Sequence, residues 1–193
     1  MAAAKSGPAF ALPRGLVIVI GVLCFILFLT EGAMLDWSAV FLAEAHGMSA
    51  AHAGLGYAAF AATMTLSRLN GDRLVRWVGP KVTVIGGSLL AACSLALATL
   101  MPSWQMALLG FALVGVGCSN IVPIMFSLAG RQHQMPESVA VAAITTMGYV
   151  GVLLGSALIG LVSGSSSLAT ALLILAAMLL GVAASVRMLR MFG

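Results

Sequence analysis

Long uncharged runs alternating with short polar breaks set the plan of this chain. Six apolar runs, Leu16 to Leu42, Ala50 to Ser67, Val82 to Met101, Met106 to Gly130, Val139 to Val162 and Leu168 to Arg187, are separated by Gly47, Gly79-Pro80, Pro102, Pro136 and the tract Ser163-Gly-Ser-Ser-Ser167. A helix rises about 1.5 Å per residue, so about 20 residues cross the roughly 30 Å of hydrocarbon in a bilayer. The pattern predicts an all-α polytopic membrane bundle of six transmembrane helices over residues 16–190, after a cytoplasmic tail of residues 1–15 in which Pro8 and Pro13 oppose an early helix. The first run exceeds the roughly 7–15 apolar residues of a cleavable signal, so it is expected to remain in the protein. Six helices divide as three plus three with the second triplet inverted, an expectation from helix count alone.

Charge supports the bilayer and gives it a direction. Only 7% of the residues are charged and 62% are hydrophobic, against about 25% charged in soluble domains. The net charge of +4 comes from nine Lys and Arg, and on the six-helix plan all nine (Lys5, Arg14, Arg68, Arg73, Arg76, Lys81, Arg131, Arg187 and Arg190) fall on one side. The connections Glu44 to Ser49, Pro102 to Gln105 and Gly164 to Ser167 contain none. Cations of short loops stay in the cytoplasm, so both termini are expected there, and topology accounts for the charge without nucleic acid as a partner. Trp37 and Trp104 fall where an outer aromatic belt would lie, and Trp77 at the inner interface. Cys24, Cys93 and Cys118 sit in apolar runs and are expected as small hydrophobes, with no metal or cofactor implied. His46, His52 and His133 lack ligand spacing and are expected in solvent.

Polar residues inside the runs are the candidate site, because a charged group in hydrocarbon costs a few kcal/mol and is usually paired or functional. Glu31 is fifteen residues beyond Leu16, about 22 Å along the helix and so in the outer third of the core. It is a candidate for binding a polar substrate, or for coupling to protons by taking one up on one side and releasing it on the other. Asp36 is expected at a solvated helix end. In the fourth run Asn120, Pro123 and Ser127 share a face, and Pro123, lacking a donor, frees the carbonyl of Ser119. In the fifth, Thr145 and Tyr149 stack at i, i+4 as candidate substrate contacts, while Gly151 and Gly155 suit close helix packing. Tyr57 and Thr63 are weaker candidates in the second run. The Gly-x-Ser-x-Gly, phosphate-loop and Cys-x-x-Cys patterns are missing, which argues against an enzyme.

The basic stretch between the second and third runs carries the most specific motif. Arg68-x-x-Gly71-Asp72-Arg73, with Arg76 and then Gly79-Pro80-Lys81, resembles the loop signature of the major facilitator superfamily of transporters. Glu31-Gly-Ala-Met-Leu-Asp-Trp-Ser-Ala-Val40 resembles the seventh helix of a bacterial branch related to fucose-permease-type sugar carriers. Asn120-Ile-Val-Pro-Ile-Met-Phe-Ser-Leu-Ala-Gly130 and Gly148-Tyr-Val-Gly-Val-Leu-Leu-Gly155 resemble its tenth and eleventh. The resemblance covers most of the chain and corresponds to the C-terminal half of a twelve-helix fold. Two departures stand out: Ser156 follows Gly155 where the family often has Pro, and the inner end of the fourth run offers Arg131 and His133 where the family's loop clasps an acidic residue.

The resemblance implies secondary active transport of a small polar solute, sugar-like or another metabolite, by alternating access in a bacterial inner membrane. It implies as partners the lipid bilayer, the substrate and a second six-helix half, from a separate chain or a second copy. Arg68, Gly71, Asp72, Arg73 and Arg76 would form a loop that governs conformational change. The rival expectation is a non-transporting remnant, or a scaffold that assembles with another carrier.

Overall fold

The computed structural model describes residues 14–188. Most of the expected tail, with Lys5, Pro8 and Pro13, lies outside the described residues, as does Arg190. In chain order the helices are α1 Leu16–His46, α2 Ala50–Ala53, α3 Leu55–Leu69, α4 Gly71–Val78, α5 Pro80–Leu100, α6 Trp104–Cys118, α7 Ile121–Arg131, α8 Glu137–Ser165 and α9 Leu168–Met188. The punctuation follows the breakers. Gly47 ends α1 in the left-handed conformation at φ 63°, its N–H capping the last carbonyls, and Pro80 occupies the first turn of α5, where its missing donor costs nothing.

Among the described residues, five stretches are long and apolar enough to cross a membrane: α1, α5, the stretch Trp104–Arg131 that joins α6 to α7, α8 and α9. The second expected run differs, because Gly54 divides it into the single turn of α2 and the 15-residue α3. Two other expectations are corrected here. First, α1 continues past Leu42 to His46, which makes Glu31 the middle residue of its 31. Second, the basic stretch is not an open loop: α3 carries Arg68 in its last turn, and residues 71–78 form the amphipathic α4 with Trp77 almost wholly exposed.

Packing is pairwise, with α1 along α8, α5 against both α6 and α9, and α3 against α6. Between helices in lipid the driving force is close packing rather than transfer from water, so small residues belong at the contacts. On α8, Gly148, Gly151 and Gly155 lie against Phe28, Phe25 and Leu29 of α1, which fits the packing role expected for the last two. On α3, Thr63 serves as a helix tie rather than a cavity residue, its hydroxyl donating to the carbonyl of Ala112 at 2.6 Å. Leu27, Met34, Phe111, Ile144 and Leu175 fill the interior. Trp37 packs against Gly160 of α8, and His46 stacks edge-on to Phe41 at 5.5 Å instead of standing in solvent. Cys24 and Cys118 are buried as expected, whereas Cys93 is exposed.

Candidate functional site

The site begins with a gap in a helix. Pro123 cannot return a hydrogen bond to the Ser119 carbonyl, and the stretch from Trp104 to Arg131 is interrupted at Ser119 and Asn120. A freed carbonyl in an apolar interior needs a donor. Arg68 supplies it from α3, its Nε donating to the Ser119 oxygen at 3.1 Å. The same guanidinium reaches α1, where Nη2 stands 3.2 Å from Glu31 Oε1. One side chain thus joins three helical segments, and it does so at the middle residue of α1.

The two sequence candidates for different roles, Glu31 for the substrate and Arg68 for the loop, are therefore partners. This corrects the expectation that Arg68 stays with the loop cations, and it supplies the partner that a carboxylate in an apolar run requires. Neither group is sealed: the Arg68 side chain is 44% exposed and that of Glu31 23%. The pair lies open on one side.

Asn120 joins the other half of the motif. It is buried, its Nδ2 donates to Ser119 Oγ at 2.9 Å, and its Oδ1 lies against Gly71 so closely that a Cβ there would collide with it. That contact explains why Gly71 has no side chain. Pro123, Ser127 and Arg131 of α7 continue from Asn120 along one wall of a pocket of about 370 Å³ whose other wall is Gly71, Asp72 and Arg76 of α4. The shared face expected for Asn120, Pro123 and Ser127 is present, but it serves the pocket beneath the basic stretch. Asp72 and Arg131 line the same pocket with opposite charges, while Arg73 faces a second, shallower hollow with Asn70 and Trp77.

The remaining candidates divide. Tyr149 is exposed and its ring lies 6.1 Å from that of Phe28, three residues before Glu31 on α1. Tyr57 is exposed on α3, eleven residues and so about three turns before Arg68, on the same face. Thr145 returns its hydroxyl to the Val141 carbonyl at 2.8 Å, so its bonding is local. Asp36 has a partner: Ser156 of α8 donates to Asp36 Oδ2, so Asp36 takes part in the α1–α8 contact. Ser156 stands where the resembled family often has Pro, which has no side-chain donor to make this bond.

A bundle of apolar helices with an ion pair at mid-helix defines an integral membrane protein with a polar centre. Its relatives agree. The chain is 54% identical to an uncharacterized MFS-type transporter of Yersinia pestis over 181 residues, 94% of this chain and 47% of that protein. It is 33% identical to the membrane protein MosC of Rhizobium meliloti over 83% of this chain and 40% of that protein. It is 34% identical to an uncharacterized transporter, y4wD, of Sinorhizobium fredii, over 81% of this chain and 42% of that protein. The chain spans about half the length of the curated relatives it matches. No family model matches it. The resemblance to the fucose-permease branch is not among these similarities. The similarities agree with the apolar helices in indicating an integral membrane protein.

Proposed function

We propose that the chain forms one half of a carrier of the major facilitator type, six helices arranged as an inverted three plus three, which pairs with a second such half and moves a small polar solute across a bacterial inner membrane by alternating access. The observation that carries this reading is the Glu31–Arg68 pair. A scaffold has no need of two opposite charges on separate helices, half open at the middle of an apolar bundle, whereas a carrier needs a polar group there that both sides can reach in turn. The printed names of two relatives, each a transporter, point the same way. Tyr149, beside Phe28 of α1, and Tyr57, about three turns from Arg68 on the same face of α3, remain the candidate substrate contacts. The basic stretch is the conformational element in this reading, supported by the pocket it shares with α7, where Asp72 and Arg131 carry opposite charges, and by the close approach of Gly71 to Asn120.

Glu31 is the coupling group in this reading, since a carboxyl can take up and release a proton while a guanidinium cannot. Transport in vesicles holding the complete carrier tests it. With Glu31→Gln, proton-driven accumulation should be abolished while exchange of solute across the membrane persists, because the amide oxygen still accepts from Arg68. Accumulation at the wild-type rate would end the coupling role, and a complete carrier that moves no solute in either assay would end the transport reading.

Orientation is tested separately. With both termini cytoplasmic, the connection between α8 and α9 faces outward, so Ser165→Cys should react with an impermeant maleimide in intact cells, and Ala2→Cys only after permeabilisation. Labelling at position 2 from outside would reverse the topology.

A further inference from the structure

Arg68 has more donors than the protein uses. A guanidinium carries five N–H groups. Nε–H goes to the Ser119 carbonyl and one Nη2 hydrogen to Glu31, which leaves three without an acceptor among the described residues. The side chain is nearly twice as exposed as its counterion, 44% against 23%, so the cation is the more open member of the pair. Its free edge, Nη1 with the second hydrogen of Nη2, is a planar fork of the kind that matches a carboxylate with two parallel bonds.

We propose that Arg68 is the group that binds the transported solute, and that the solute is a small carboxylate anion. The inference rests on the carrier reading and names its substrate class. Glu31 then acts as an internal counterion: it holds the guanidinium when the site is empty and is exchanged for the solute's carboxylate when the site is filled, so the cation is compensated in both states. A neutral polyol could bond to the same N–H groups, but it would replace no charge. A cationic solute would have to reach Glu31, the more enclosed of the two, past a like charge. The headgroup of an anionic lipid offers the same oxyanion chemistry, yet Glu31 is fifteen residues, or about 22 Å, from either end of α1. A soluble anion is the one that fits.

The test is thermal unfolding of the full chain in neutral detergent, at constant ionic strength and without anionic lipid. The probes are acetate, lactate, succinate and gluconate, with glucose and glucosamine as neutral and cationic counterparts of the last. At least one carboxylate should raise the midpoint by about 2 °C or more, as a ligand well above its dissociation constant does for a chain of this size. Arg68→Lys should keep a weaker shift, and Arg68→Gln should lose it. The Glu31→Gln/Arg68→Gln double variant, which leaves no unpaired charge, should fold and show no shift, so a failure of the single variant to fold does not stand in for a result. Stabilisation by glucose or glucosamine alone, by anionic phosphatidylglycerol but no soluble carboxylate, by carboxylates equally in the double variant, or by no probe would overturn the proposal. A carboxylate that binds through Arg68 in a carrier that moves nothing would refute transport and leave the site. A neutral solute that is moved without carboxylate binding would do the reverse.

Discussion

Glu31→Leu is expected to destabilise the folded chain by about 2–3 kcal/mol, and adding Arg68→Leu to it is expected to recover part of that loss rather than deepen it. Removing the carboxylate leaves a guanidinium that cannot shed its proton among apolar helices, while its bond to Ser119 keeps it from withdrawing. The full penalty of a buried unpaired charge is about 3–5 kcal/mol, and the 44% exposure of Arg68 reduces it. Arg68→Leu alone should cost less, about 1–2 kcal/mol, because the carboxyl left behind can be neutralised and the main loss is the donor to the Ser119 carbonyl that Pro123 set free. The double variant loses that donor too but holds no lone charge, so it should resemble Arg68→Leu. Unfolding of the four proteins in a double-mutant cycle gives the result. Additive losses would mean that the 3.2 Å contact contributes nothing to the fold.

The parts of this structure that the sequence disclosed are those that depend on one segment at a time. Run length and breakers locate α1, α5, α8 and α9, because the hydrocarbon imposes a length on each helix separately. Pro123 announces a free carbonyl at Ser119 in the same local way, and the interruption is found there. The second run was less legible. Gly54 ends one turn and Arg68 still belongs to α3, a boundary shift of a few residues that a polar stretch rich in Asn, Gly and Asp does not resolve. That small shift decides the chemistry, since a guanidinium carried on α3 itself reaches Glu31.

Contacts between helices were the illegible part. Glu31 and Arg68 are 37 residues apart, Asp36 and Ser156 are 120 apart, and no spacing rule relates positions on different helices. What the chain does signal is demand: a carboxylate in an apolar run requires a partner, and a freed carbonyl requires a donor. Both demands were visible, at Glu31 and at Ser119. That one arginine meets both follows from the way α3 crosses α1 and α6, which is a property of packing and not of any single run.

The same distinction gives the sharpest packing prediction, at two adjacent glycines of α5. A Cβ on Gly87 would run into the carbonyl oxygen of Gly117 on α6, and a Cβ on Gly117 would run into the carbonyl of Gly87, so the two backbones touch there. At Gly86 nothing stands within 4 Å of the same position. In sequence the pair is indistinguishable, each glycine being a helix-interior residue that costs about 1 kcal/mol relative to alanine. Gly87→Leu should force α5 from α6, and with no side chain at the contact to shift aside the cost should exceed the about 1–3 kcal/mol of ordinary overpacking, enough to prevent a stable bundle. Gly86→Leu should be tolerated or mildly stabilising, since it improves helix propensity and points into open space. Size-exclusion profiles and unfolding midpoints of the two variants decide the matter. Equal behaviour of Gly86→Leu and Gly87→Leu would show that α5 and α6 do not meet along this line.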